Sequence, residues 1–533
     1  MKLNWLTKST ILLASVKLFG AAVTVQDVVV YGGTAAGVTA AVQAARMGKK
    51  VALVAPEKHV GGISVEGLGG SDIDNHDFRN SMAVGGLALE FYTRVGQKYG
   101  KQKPVWQFEP HVAEAVFEDM LEQAHVPVFR GRRLKEPLSA SVVWGEGKKL
   151  AAIVTESGEV FEGRQFIDAS IEGDLLFAAG VETVIGREPN SKYGETKNGI
   201  RGQNEYRQFP VRVDPYKVPG VASSGLIATI QDEALGVPGS GDERVQGYCF
   251  RLCLTRRPEN RLAISKPAHY DPAQYEIYRR YAAAGGHLFA PQENVPNGKT
   301  DLGSWHDLSA NLYGMNFEYP GGSYAVRAQV YQQHLEFTWG LLYFLAHDAG
   351  LPERVRAAWR DWGLCKDEFT DNGGWPRQIY VRDARRMVSD YVLTEAHTRR
   401  LNAPRVEDAV AVAYWPPDMH HVRRIVKDGA AYNEGFVFGG KDWGPFSIPY
   451  RALTPRRSEA TNLLAASCPS SSHVAYGAIR LEWTFLALGQ AAGAAAGLAE
   501  GDVQDVSYPK LREVLVRAGA VVSVQGVTGL MGR

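Results

Sequence analysis

Beyond its first 22 residues the 533-residue chain has no apolar run of about 20 residues, so no membrane-spanning helix is expected. It also has no surplus of one charge. Its 59 Lys and Arg face 58 Asp and Glu, a net charge of +1, with no long block of either sign. Such a balance gives no pull toward nucleic acid or an anionic membrane surface. Cysteine is scarce, with only Cys249, Cys253, Cys365 and Cys468. The first two lie in GYCFRLCLT, a strand-like stretch that sets both on one face. A zinc site needs four grouped ligands, and no second pair of Cys or His has the spacing. A buried pair of thiols is the reading, and no metal is expected. No Asn-x-Ser/Thr sequon occurs. No Gly-x-Ser-x-Gly elbow occurs either, and SCPSSSH sets serine beside histidine in sequence, which excludes a Ser–His–Asp hydrolase of that type.

Glycine, in contrast, is plentiful at 57 residues, as expected where backbone must approach a ligand closely. The 45% apolar and 22% charged content is that of an ordinary globular protein, and the length allows several domains and a large core. Residues 1–22 carry Lys2 and Lys8, an apolar run from Ile11 to Val16, and small residues at Gly20 to Ala22. This pattern predicts a secretory signal and an exported protein.

The stretch DVVVYGGTAAGVTAA (27–41) reads as a buried strand turning into a helix, and VALVA (51–55) as the next strand. That strand–helix–strand unit is the setting of a dinucleotide fingerprint. Gly32, Gly33, Thr34, Ala35, Ala36 and Gly37 form the turn. Gly32 permits the bend, Gly37 permits close helix–strand packing, and Thr34 is small enough for the middle position. Its hydroxyl is a candidate donor to a phosphate, beside the free N–H groups of the helix start. The second strand ends in Ala55 where an acid grips the ribose, and Glu57 is the candidate substitute. A second glycine cluster follows, with Gly61 and Gly62 first. It suits the longer flavin cofactor, FAD, better than NAD.

At this point the chain resembles the FAD-dependent oxidoreductases of the glutathione-reductase-like Rossmann superfamily, some of whose bacterial relatives are labelled xanthan lyase-like. YGGTAAGVTAA (31–41), FIDASIEGD (166–174), YCFRLCLT (248–255), WPRQIYVRDARRMV (375–388), PPDMHHVRR (416–424) and the segment 448–499 carry the likeness. Ala55 and Ser467 depart from the family pattern. The resemblance implies an α/β fold: an FAD-binding Rossmann-like domain, a parallel sheet with helices, plus a large inserted α+β substrate or cap region. It implies flavin-dependent oxidation of a small organic or sugar-like molecule. A lyase or isomerase that retains FAD without net redox change, and a non-catalytic FAD-binding protein, are the alternatives.

The domain boundaries read at 26–190 plus 440–510 for the FAD domain, 191–439 for the inserted region, and 511–533 for a tail. Helices are expected over 323–349 and 377–400, and a hairpin around Ser157–Gly158. By the family likeness Val128 meets the adenine, Ser170 stands in the Asp-Ala-Thr motif, and the small-residue helix containing Gly489 points its positive end at the flavin. Catalysis then needs a proton acceptor, and imidazole is the natural one. His473 precedes the flavin-facing helix, and His420 has Asp418 two residues earlier. Arg382, Arg385 and Arg386, set on one face if 377–400 is helical, suit a substrate carboxylate or a flavin oxyanion.

Overall fold

The computed structural model describes residues 22–75, 78–204, 206–303, 306–439, 442–525 and 527. The leader read at 1–22 lies outside the described residues except for Ala22.

The β-branched runs of the sequence become the centre of one sheet. β1 (Val23–Tyr31) and β2 (Val51–Ala55) pair in parallel from Val28↔Val51 to Tyr31↔Val54. β3 (Val128–Arg130) adds beside β2 through Leu53↔Val128. β4 (Val142–Trp144) and β5 (Leu150–Val154) form an antiparallel edge, and β5 turns at Ser157–Gly158 to pair antiparallel with the strand that follows, the hairpin the sequence predicts. β6 (Val160–Asp168) runs parallel to β1 along its whole length, ending at Tyr31↔Asp168. The C-terminal half of β6 also pairs with β7 (Leu463–Ala465), which arrives from the far end of the chain.

α1 (Ala35–Arg46) crosses from β1 to β2 and is buried from Ala35 to Ala44. α2 (Gly86–Lys98) and α3 (Pro110–Gln123) put Leu87, Phe91, Val116 and Phe117 into the same core. α4 (Asp174–Ala178) follows β6. A second core, from Val213 to Ala431, is built around α5 (Tyr324–His347) and the three short strands 254–255, 261–263 and 363–365. The first core regains the chain at Leu393 and the strand Ala409–Ala413, which pairs with Phe446–Pro449. That return is earlier than the shift at 440 suggests, because AVAVA supplies a fully buried strand within the polar-looking region. α6 (His473–Ile479) and α7 (Glu482–Leu498) close the first core, and the helix Tyr508–Arg517 then buries Leu511 and Leu515 there, across the boundary read at 510.

The sequence expectation of a helix over 377–400 is corrected. The segment is extended, with a two-residue strand at Arg386–Met387 and a 3₁₀ turn at Glu395–Thr398. Arg386 and Met387 pair with Val184 and Thr183, so sheet hydrogen bonding displaces the helix.

An ion pair ties the second core to the helix that follows β6. Arg327 of α5 makes a bidentate contact with Asp174 at the head of α4, at 2.6 and 2.7 Å, and Arg385 joins at 2.9 Å. Both Arg327 and Asp174 are buried. Arg327→Met should lower the unfolding free energy by about 3–5 kcal/mol, the cost of stranding a buried partner. Denaturant unfolding checks this, and a change under about 1 kcal/mol would deny the pair that role.

Candidate functional site

Backbone crowds the turn after β1 at its two ends. Gly32 has φ +110°, and a Cβ there would stand 2.4 Å from the Ser170 N. At Gly37 a Cβ would stand 2.0 Å from the Gly32 carbonyl oxygen. Only glycine fits both places. Thr34 caps α1: its hydroxyl accepts from the Gly37 N–H at 3.1 Å and donates to the Ala169 carbonyl at 2.7 Å. The expectation that this hydroxyl donates to a phosphate is therefore corrected, since its proton is already spent on tethering the turn to the end of β6. The Ala35 and Ala36 N–H groups, in the first turn, have no intrahelical acceptor. With the positive end of the α1 dipole they make an anion site. The second glycine cluster lies against this turn, with the Gly61 N–H donating to the Gly33 carbonyl at 2.6 Å. A Cβ on Gly62 would be 3.2 Å from Thr34 Cα. Bare backbone on two sides of a helix start is the cradle that a pyrophosphate requires, and the residues present fit it.

The other cofactor residues separate into two groups. Val128 is at the sheet edge beside β2 and half-buried. Glu57 follows β2, and withdrawal from water together with the nearby Glu172 pushes its carboxyl up to about 8. Its side chain is thus a neutral hydrogen-bonding group near pH 7. Glu57→Ala should weaken FAD affinity several-fold, about 1 kcal/mol for one neutral hydrogen bond. Titration of the flavin-free protein with FAD measures this, and an unchanged Kd would leave the ribose to backbone. Two expectations are corrected. The Ser170 hydroxyl donates to Asp168 at 2.7 Å and accepts from the Asp174 N–H at 3.1 Å, so it shapes the turn into α4. Gly489 faces α1: a Cβ there would be 2.1 Å from the Ala36 carbonyl oxygen, so the glycine serves helix packing.

Two cavities lie beyond the fingerprint. A slot of about 40 Å³ is lined by Thr34, Gly62, Glu172, Arg382, Arg480 and Glu482 among others. A larger cavity of about 590 Å³ shares Tyr380, Arg480 and Glu482 with it. Arg251, Asp301, Asp418, His420, Trp415 and Phe438 also line the larger one. Arg480, just before α7, donates to the Tyr380 hydroxyl at 2.7 Å and pairs with Asp418 at 3.0 Å. Asp418 also stands 3.5 Å from His420 Nε2, the imidazole–carboxylate pair expected from the sequence. Burial and the Arg382 and Arg480 cations hold His420 well below the usual imidazole range, so it is neutral. Glu482 opens α7 and receives a hydrogen bond from the Ser64 hydroxyl at 3.3 Å. Burial pushes its carboxyl up to about 8.

The arginines do not form one cluster, because the extended backbone sends them apart. Arg382 lines the slot and bonds the Gly247 carbonyl and the Asn311 side chain. Arg385 turns to Asp174, and Arg386 pairs with Glu188 at 2.8 Å. His473 is 2% exposed, stands 3.1 Å from Asp383, and lines neither cavity. Its backbone N–H donates to Glu188 at 3.0 Å, which joins it to the buried Arg386–Glu188 pair. Of the two histidines expected at the site, only His420 lines the cavity. Cys249 and Cys253 are both buried, as read, but in different clusters: Cys249 with Leu68 and Tyr380, Cys253 with Cys365 and Phe369. Sequence reasoning does not single out Glu482 or Arg480. The signal for Glu482 is present, as the one charged residue in the 17-residue helix EWTFLALGQAAGAAAGL.

No curated protein matches the chain. Among solved structures it is similar to L-proline dehydrogenase from P. horikoshii, at 14% identity and TM-score 0.25, over 32% of this chain and 59% of that one. It is also similar to Thermovibrio ammonificans THI4, at 18% identity and TM-score 0.22, over 36% of this chain and 76% of that one. A third is T. acidophilum thioredoxin reductase, at 20% identity and TM-score 0.17, over 27% and 35%. The family model described as FAD dependent oxidoreductase matches residues 27–515, almost the whole span from β1 to the last helix. The chain belongs to the FAD dependent oxidoreductase family, and its cofactor is FAD.

Proposed function

We propose that this oxidoreductase oxidises a neutral, polyhydroxylated, sugar-like alcohol. The observation that carries this reading is the charge pattern of the 590 Å³ cavity. Arg251 is paired with Asp301 at 2.6 Å and Arg480 with Asp418 at 3.0 Å. The remaining acids, Asp72 and Glu482, are both pushed toward their neutral forms by burial, and His306 is pushed the same way. What remains is a dense set of hydrogen-bonding groups in which both arginines are already paired, walled by Trp415, Phe438, Phe289 and Tyr380. Aromatic faces and paired polar groups suit the apolar faces and hydroxyls of a sugar ring, and the volume is within the range of small-molecule pockets.

Bound FAD supplies the acceptor for hydride. The chain's part is to hold the alcohol and take its proton. Glu482, shared by slot and cavity, is assigned as that acceptor because a base works best with a pKa near the working pH. His420, neutral and backed by Asp418, orients the hydroxyl by accepting a hydrogen bond. Arg480 fixes Asp418 and Tyr380 around them. Anaerobic mixing of the yellow protein with neutral sugars, polyols, hydroxy acids and amines tests the reading. Neutral sugars or polyols should bleach the absorbance near about 450 nm. Bleaching by acids or amines alone would overturn the substrate class, and turnover without bleaching would favour a lyase or isomerase.

A further inference from the structure

Outside the site, two thiols face each other across a pair of strands. The strands 254–255 and 363–365 are antiparallel, with Leu254 opposite Leu364 and Thr255 opposite Gly363. Extending that register by one residue sets Cys253 directly opposite Cys365. Their sulfurs are 3.8 Å apart, both residues are buried, and Phe369 covers them. Directly opposed residues of an antiparallel pair have the Cβ separation that a disulfide spans after a rotation of the side chains. The other two thiols are committed elsewhere: Cys468 donates to the Ser170 carbonyl at 3.4 Å, and Cys249 receives Arg382 at 3.5 Å.

We propose that Cys253 and Cys365 close as a disulfide when the chain folds in the presence of a disulfide oxidant such as oxidised glutathione. One protein thiolate attacks the small disulfide and releases one small thiol. The second protein thiolate attacks the mixed disulfide and releases another. Two protein thiols are oxidised, one small disulfide is reduced, and both protons go to the released thiolates. The exchange belongs to folding, before the strands close. Once folded, burial raises the Cys253 thiol well above its usual range and denies the thiolate that exchange requires. The bond would lock the strand bearing Cys253 to one neighbour. Its other edge is already held, with the Leu302 N–H donating to the Leu252 carbonyl at 2.9 Å. Arg251 and Asp301, on the cavity wall, sit at these two elements.

The test is to unfold the reduced full chain and refold it with FAD and a mixture of oxidised and reduced glutathione. Thiols are counted in denaturant, and peptides are mapped without reductant. The expected result is two remaining thiols, a mass about 2 Da lower, and a Cys253–Cys365 peptide. The melting temperature should exceed that of the reduced protein by about 5 °C or more, given the long loop closed. The Cys249→Ser/Cys468→Ser double variant should keep the bond, and Cys365→Ser should lose it. Four thiols in yellow, folded protein, or a bond through Cys249 or Cys468, would overturn the proposal. Should refolding yield fail, the full chain is synthesised directly into an oxidising compartment and mapped in the same way. There a Cys253–Cys365 peptide supports the bond, and four free thiols in folded protein overturn it.

Discussion

Replacing Glu482 with Gln is expected to leave the protein yellow and to slow flavin reduction by substrate by about 10²-fold or more, the usual span of general-base catalysis. The accompanying pH profile follows from the direction of its shift. A carboxyl pushed up to about 8 is protonated below that pH and ionised above it. A base must be ionised, so the wild-type rate should climb with pH and level off above about 8. The Gln variant should have a flat profile across the same range. His420 cannot produce that rise, because its imidazole is held well below the usual range and is already neutral. Stopped-flow bleaching of both proteins from pH 6 to 9, about 6 to 9 being the span over which this acid titrates, decides the matter. A Gln variant with the wild-type rate and slope would remove Glu482 from the chemistry.

The second large effect is expected at the fingerprint. Gly37→Val and Gly32→Val should each yield a colourless protein, with absorbance near about 450 nm lost relative to the protein band. At Gly37 the new Cβ would sit 2.0 Å from the Gly32 carbonyl oxygen, and at Gly32 it would sit 2.4 Å from the Ser170 N. Neither neighbour is the loose end of a side chain, so the turn itself must open and the N–H groups at the start of α1 lose their aim. Gly501→Ala, where nothing lies within 4 Å, should keep full colour. Bound flavin per folded molecule, measured after desalting, checks all three. Retention of flavin by the Gly37 variant would contradict the assignment of the cradle.

The sheet is legible in the sequence because its strands are local signals. DVVVY and VALVA are β-branched runs bounded by glycines, and the Ser157–Gly158 hairpin is a two-residue cue. The failures have one physical origin, which is long-range pairing. YVRDARR looks helical by spacing, but Arg386 and Met387 bond across to Thr183 and Val184, some 200 residues earlier by the Arg386–Gly186 contact. The same extension scatters the three arginines. His473 looks close to the flavin because it precedes α7, yet a short helix and Arg480 intervene, and the imidazole turns inward to Asp383. Thr34 sits in the turn as expected, but its hydroxyl is taken by a carbonyl at the end of β6 rather than left for a ligand. Glu482 is visible in composition alone, as a lone charge in a small-residue helix. Its raised pKa comes from burial that only the assembled cavity imposes.

The pairing of α1 with α7 sets a constraint on how the protein is made. Gly489 and Gly493 lie against the Ala36 and Ala40 carbonyl oxygens, and Thr39 Oγ1 donates to the Leu486 carbonyl at 2.8 Å. β7 joins β6 from the same late stretch of chain. Among the described residues the first helix therefore waits for almost the last one, and closing so long a loop is the slow, entropically costly part of folding. Until residue 498 has emerged, α1 exposes an Ala- and Val-rich face, and α7 has no strand-and-helix layer to lie on. Flavin uptake becomes an event at the end of synthesis rather than a nucleus for it, and nascent chains are the form most open to aggregation and to chaperones.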